Sequence, residues 1–304
     1  MGYEIGLNRL YSLVANTGFY KTTVSEIISF ILYYLQLWYR YTIFAENLKN
    51  MSKYIISIQD KRFVSGKEMF SGIQNKETVS SLLYKYTKRN LVAKIRKNIY
   101  LPTNPADGFV YENKYEIGCS SVPLSYLSYH SAMAFYGWEN QVFNRVYLSA
   151  PKRFRPFDFY FVDYMYAPHK FREGVVKDEN RNIYYTELER TIIDCADRLD
   201  LAGGYEEYFY NLDFIEGVDE EKLLFYLSLY NKQALYQRAG FMLSRFQQQI
   251  NLSDRFFAFC KEKIGKSTRY LTDKFESKIY IPEWKLYVPK YLLSLTENNY
   301  YETE

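Results

Sequence analysis

Residues 65–101 read SGKEMFSGIQNKETVSSLLYKYTKRNLVAKIRKNIYL, and the succession of periodicities in this stretch decides the fold of the N-terminal part. Ser65 and Glu68 are spaced S-x-x-E. The hydroxyl can accept from the backbone N–H three residues on while the carboxylate reaches back, which is a helix start. Asn75 can cap a second helix, in which Val79, Leu82, Leu83 and Tyr86 fall at i, i+3, i+4 and i+7, one buried helical stripe. After Asn90 the period drops towards two. Leu91, Val92 and Ile95 precede a polar Arg96-Lys97-Asn98 tip, and an apolar run from Ile99 follows it, the pattern of a short β-hairpin. Helix, turn, helix, hairpin is the order of a winged helix.

Charge is concentrated in the same window. Residues 60–100 hold ten Lys and Arg against three Asp and Glu, a local balance of +7 in a chain of net charge +4, which leaves −3 for everything else. In a winged helix the outward face of the second helix meets base edges in the major groove, while wing cations approach phosphates. The candidate DNA-binding residues are therefore Lys76, Thr78, Ser80, Ser81, Tyr84, Lys85 and Lys88 on the helix, with Lys94, Arg96, Lys97 and Asn98 on the hairpin. Arg96 and Lys97 are assigned to phosphates, because a hairpin tip offers them no apolar neighbour. A solvated basic helix on an ordinary small domain is the bland alternative.

Upstream, residues 27–39 are uncharged and apolar, but thirteen residues fall short of the roughly 20 that a bilayer span needs. No cationic start or cleavage motif marks a signal peptide. Residues 1–50 read either as an amphiphilic helix or, preferably, as an extension ahead of a start at Met51. The segment from Met51 then supplies the first helix of the winged domain, with Tyr54, Ile55 and Ile58 inward. The chain is long enough for two domains, and 48% hydrophobic residues excludes a disordered chain. The 34 Tyr and 22 Phe fit an A/T-rich codon bias and do not by themselves make a stacking surface. Cys119, Cys195 and Cys260 form no C-x-x-C pair, so a reduced, cytoplasmic protein is expected. With only His130 and His169, a histidine-rich metal site is excluded, and each reads as a surface or half-buried polar residue.

Beyond residue 101 the turn-forming Pro102-Thr103-Asn104-Pro105 marks a boundary. The expected organisation is an extension over 1–50, a winged helix over 51–103 and a C-terminal domain over 104–304. The fold class is α+β, with the second domain mixed α/β and its C-terminal part helical. Residues 111–121 show no clear period. Residues 124–137 (LSYLSYHSAMAFYG) read as a helix closed by glycine. Strands are expected at 145–149, 157–162 and 183–186, and helices at 187–199, 205–210, 220–230, 232–249 and 255–264. The tail from residue 277 is polar, broken by Pro282 and Pro289, with disorder expected from 297. No glycine-rich phosphate loop occurs. Asp158 and Asp163, five apart on one strand, would point to opposite faces. Glu187 and Glu189 suit a helix N-terminus, and Cys195 reads as core. No enzyme activity, cofactor, metal or membrane association is expected; the alternative is a nuclease or nucleotidyl-modifying enzyme with a DNA-binding head.

Three segments, in this order, resemble the AbiEi family of antitoxins and regulators of bacterial type IV toxin–antitoxin systems. They are RKNIYL at 96–101, PLSYLSYHSAMAFYG at 123–137 and TELERTIIDCADR at 186–198, within a likeness that runs over about residues 61–246. The resemblance implies a winged helix that represses its own operon at inverted repeats. It also implies a C-terminal domain that neutralises an adjacently encoded nucleotidyltransferase toxin. Residues 1–50 have no counterpart, and Asn98 stands where glycine is common; asparagine tolerates positive φ, so the turn is expected to survive. Thr191 and Asp194 within the third segment are expected to serve the fold.

Overall fold

The computed structural model describes residues 76–104, 106–272 and 277–295, together with Leu32, Leu35, Val64 and Ser65. The protein is a mixed α/β chain in two compact units. Among the described residues, the first holds those up to Ala93 and within Leu101–Val110, and the second holds Lys94–Tyr100 and those from Tyr111 onward.

In the first unit, α1 (Lys76–Lys88) buries Leu83 and Tyr86, half-buries Val79 and Leu82, and exposes Ser80, Ser81, Tyr84, Lys85 and Lys88. This is the stripe expected from the spacing. The helix stops where Asn90 turns to φ +52° and the Leu91 N–H donates to the Tyr86 carbonyl at 3.0 Å. The hairpin follows as β2 (Val92–Arg96) and β3 (Ile99–Pro102), joined through Lys97 and Asn98, and its Lys94–Tyr100 portion belongs to the second unit. Asn98 sits at φ +64°, the left-handed region that asparagine tolerates best after glycine. A short strand β1 (Val64–Ser65) completes a sheet of order β1-β3-β2. Ser65, expected as a helix cap, thus lies in a strand. The first two helices expected from 51 and 65, the Asn75 cap and Glu68 lie outside the described residues. So do residues 1–50, apart from Leu32 and Leu35, which are helical and exposed.

The second unit is built on a six-stranded sheet of order β6-β7-β5-β4-β9-β8. Its strands are β4 (Tyr126–Leu127), β5 (Arg145–Ser149), β6 (Phe157–Phe159), β7 (Val162–Ala167), β8 (Val175–Lys177) and β9 (Tyr184–Thr186). β5 pairs with β7 and β4 with β9 in parallel; the other neighbours are antiparallel. Two expectations are corrected here. Residues 124–137 are not one helix, because Tyr126 and Leu127 are drawn into the sheet between β5 and β9. Only α3 (His130–Phe135) is helical, and Gly137 ends it at φ +88°. The 157–162 stretch is not one strand: β6 ends at Phe159, the chain turns at Tyr160 and Phe161, both at positive φ, and β7 begins at Val162. Asp158 and Asp163 therefore face each other across paired strands instead of pointing apart.

The period-free segment at 111–121 contains a helix, α2 (Lys114–Ser121), capped by Asn113, whose side chain accepts from the Tyr115 N–H at 2.9 Å. Six of its eight residues are buried, so no amphipathic stripe betrays it. Gly118 lets it lie close, since a Cβ there would crowd Tyr164 and Leu148. α4 (Leu188–Asp197) is also buried nearly all round. Behind it stand α5 (Tyr205–Asp213), α6 (Glu220–Tyr230), α7 (Gln233–Leu243) and α8 (Asp254–Lys263), whose core includes Leu223, Leu227, Ala239, Met242 and Phe256, all fully buried. The helix expected over 232–249 ends six residues early.

The tail was expected to be polar and broken. Its described residues instead form β10 (Arg269–Tyr270), β11 (Lys278–Ile281) and β12 (Leu286–Pro289), a sheet of order β10-β12-β11, and a last turn of helix, α9 (Leu292–Leu295). Both prolines stand at element ends, where a missing N–H is tolerated. Trp284 is buried against Gly240 of α7, and any side chain at 240 would overlap its ring.

α4 is tied to its surroundings by charge. Arg190, 2% exposed, donates through Nη2 to the Tyr126 hydroxyl at 3.0 Å and through Nη1 to the Glu173 carbonyl, with its guanidinium 4.5 Å from the Phe171 ring centroid. Its Nε lies 3.4 Å from Asp194 one turn on, within ion-pair distance but too poorly aimed for a hydrogen bond. Burial pushes the Asp194 carboxyl up, and the Arg190 charge and the Tyr230 hydroxyl oppose that push. A further turn along, Asp197 takes Lys232 at 2.7 and 2.8 Å and also Lys170. The Thr191 hydroxyl reaches the carbonyls of Thr186 at 2.9 Å and Glu187 at 2.8 Å. Asp194 and Thr191 thus serve the fold, as expected.

Asp194→Ala leaves the Arg190 charge buried without its counter-ion and is expected to cost about 3–5 kcal/mol. The double change Arg190→Met with Asp194→Leu should recover most of that loss. Urea unfolding followed by circular dichroism reads both; equal loss in the single and double variants would contradict the assignment.

Candidate nucleic-acid interface

The outward face of α1 carries one group of the expected residues. Ser80, Ser81, Lys85 and Lys88 are exposed, and Tyr84 is 65% exposed with the Lys88 ammonium 5.8 Å from its ring centroid. They share a face because the helix spends Leu83 and Tyr86 on the interior, leaving positions 80, 81, 84, 85 and 88 on the other side. Lys76 and Thr78 fall in the first turn of α1, and their side chains lie outside the described residues.

The hairpin carries the second group. Lys94, Lys97 and Asn98 are exposed. Arg96 is not at a free tip. It ends β2 half-buried, with its guanidinium 5.3 Å from the Phe157 ring centroid and 5.8 Å from that of Phe154. Its Nη1 is shielded from water and has no hydrogen-bond acceptor among the described residues. The expectation that Arg96 lacks an apolar neighbour is corrected: the two aromatic rings hold it by cation–π attraction. Nothing in the sequence links position 96 to 154 and 157. The one signal is local, the alternation of cations and aromatics in KRFRPF at 152–157.

Elsewhere in the second unit, a groove of about 710 Å³ is lined by Arg145, Arg198 and Arg238 beside His130. Its cations are engaged. Asp200 takes Arg198 through two bonds at 2.8 and 2.6 Å, and Arg238 donates to the carbonyls of Tyr270 and Asp197. His130, expected at or near the surface, is 2% exposed with Nε2 3.3 Å from Glu207, and burial lowers its pKa. His169 meets the expectation, half-buried with Nδ1 2.9 Å from the Tyr126 hydroxyl. Asp158, Asp163 and Arg145 form one row across β6, β7 and β5, with Arg145 3.9 Å from Asp163. Among the described residues no three His, Cys, Asp or Glu are grouped so as to hold a metal ion. All three cysteines are buried and free, and burial raises the Cys195 thiol well above its ordinary value. No helix among the described residues is long and apolar enough to cross a membrane.

No protein-family model matches the chain, and no curated protein matches it by sequence. Among solved structures, the crystal structure of the RV2827C protein from Mycobacterium tuberculosis is similar. It matches with a TM-score of 0.57 at 12% identity, over 77% of this chain and 89% of that one. At that identity the likeness speaks for the fold alone.

Arg96→Ala is expected to release the hairpin from Phe154 and Phe157 at a cost of about 1 kcal/mol. Amide hydrogen exchange should speed up in residues 94–100 while α4 stays protected. Unchanged exchange in the hairpin would show that the ring contacts do not hold it.

Proposed function

We propose that the protein is a DNA-binding antitoxin and transcriptional autorepressor of a type IV toxin–antitoxin operon. In this reading the N-terminal part is a winged helix that binds the protein's own operator, and the C-terminal part counteracts a nucleotidyltransferase toxin. The observation that carries the reading is the polar, cationic outward face of α1 followed directly by a basic hairpin. The sheet order β1-β3-β2 supports it, because a strand ahead of the recognition helix that pairs with the far arm of the hairpin is what a wing requires. The local balance of +7 supports it too, since counterion release from duplex DNA favours concentrated cations. The resemblance of the three segments to AbiEi antitoxins supplies the operon context and the toxin. Free buried thiols suit the cytoplasm in which such a system works.

Two kinds of contact follow. Lys94 and Lys97, exposed on the hairpin, would meet phosphates; Ser80, Ser81, Tyr84 and Lys85 would meet base edges. Lys94→Ala with Lys97→Ala should weaken binding to operator and random duplex alike, and lower the slope of log affinity against log salt by about 0.9 per lost contact. Substitutions at Ser81, Tyr84 or Lys85 should instead cost about 1–3 kcal/mol of operator preference for each lost base contact. Fluorescence-anisotropy titrations of the full chain separate the two. If the hairpin variant loses operator preference with its salt slope intact, the roles of helix and hairpin are reversed.

A further inference from the structure

The contact made by Arg96 has a consequence for the residues around its aromatic partners. Phe154 and Phe157 belong to a short segment, 151–157, that leads into β6. Phe154 is buried and packs edge-on against Tyr166 with ring centroids 5.6 Å apart, and Phe157 stacks on Tyr164 at 4.7 Å with the planes 9° apart. Anchored by these rings, the segment turns its other side chains outward. Lys152, Arg153 and Arg155 are exposed, with Arg153 leaning over Tyr166 at 5.7 Å. The hairpin residues Lys94 and Lys97 belong to the same compact unit, and Arg96 bridges the two elements. Lys94, Lys97, Lys152, Arg153 and Arg155 form no ion pair with any described residue. Arg96 itself is held by rings and not by a carboxylate, so its charge too is left uncancelled.

We infer that segment 151–157 is a second phosphate-contacting element, and that it binds duplex DNA beside the hairpin. The inference rests on the DNA-binding reading above and extends it to a segment more than fifty residues beyond the hairpin. Charge complementarity selects the occupant, because six cations with no acidic partner suit a polyanion. Spacing agrees: positions 152–155 cover roughly 10 Å of extended chain, over which one DNA strand presents on the order of three phosphates. Arg96 is then a positioning residue that fixes the hairpin and the segment side by side, not a phosphate ligand at a free tip.

The test uses the full chain with two labelled duplexes of about 30 base pairs, one from the region upstream of its own gene and one of random sequence. Both are titrated at roughly 50 to 200 mM salt. Lys152→Ala with Arg155→Ala should lower the salt slope by about 1.8, at about 0.9 per contact, on both duplexes, with operator preference unchanged. The charge-keeping pair Lys152→Arg with Arg155→Lys should retain the slope. Lys261→Ala with Lys263→Ala on α8 removes the same charge elsewhere and should leave the slope as it is. If the unmodified chain binds neither duplex, the DNA-binding reading fails and this inference falls with it. If the chain binds and the Lys94/Lys97 variant loses slope while the Lys152/Arg155 variant does not, this inference alone is overturned. An equal loss in the Lys261/Lys263 variant would also overturn it, since net charge and not position would then govern.

Discussion

A guanidinium buried to 2% exposure on α4 is the constraint around which the second unit closes. Arg190 cannot be deprotonated at any ordinary pH, so the fold must supply its partners from outside the helix as well as from within it. Tyr126 comes from the centre of the sheet, Glu173 and Phe171 from the connection after β7, and Tyr230 arrives through Asp194 from the end of α6. Each of these elements brings a group to the buried Arg190–Asp194 pair. Asp197, one turn further on, repeats the device at the helix edge with Lys170 and Lys232. Sheet, connection and helical layer are thereby each bonded to α4 or to its side chains.

The hairpin shows the same physics at the surface. Arg96 is held by rings instead of a carboxylate, which leaves its charge uncancelled. A salt bridge in that place would have cancelled one cation and weakened the attraction for an anionic partner. Aromatic anchoring fixes position without neutralising charge, and under the proposed DNA-binding reading that difference matters.

What could be read from the sequence follows from how each element is buried. α1 and α6 were legible because each has one face in the core and one in water, so the period survives in the residues. β5 was legible for the same reason at period two. α2 was not, since a helix buried on nearly all sides has no polar face to mark it. Tyr126 and Leu127 were misassigned because their strand is fixed by neighbours far along the chain, β5 and β9, and not by local preference. The terminal sheet was hidden by its two prolines, which argue against a strand only when they fall inside one. At the candidate interface, the exposed positions of α1 were legible. The burial of Arg96 depends on Phe154 and Phe157, more than fifty residues away.

The central claim is that the chain binds duplex DNA from its own operon, and it is tested most directly by equilibrium titration of the full chain against its upstream region and a scrambled duplex at several salt concentrations. The account predicts tighter binding to the upstream region, with log affinity falling linearly against log salt by about 0.9 for each phosphate contact. No association with either duplex at low salt, or an affinity that does not change with salt, would contradict it.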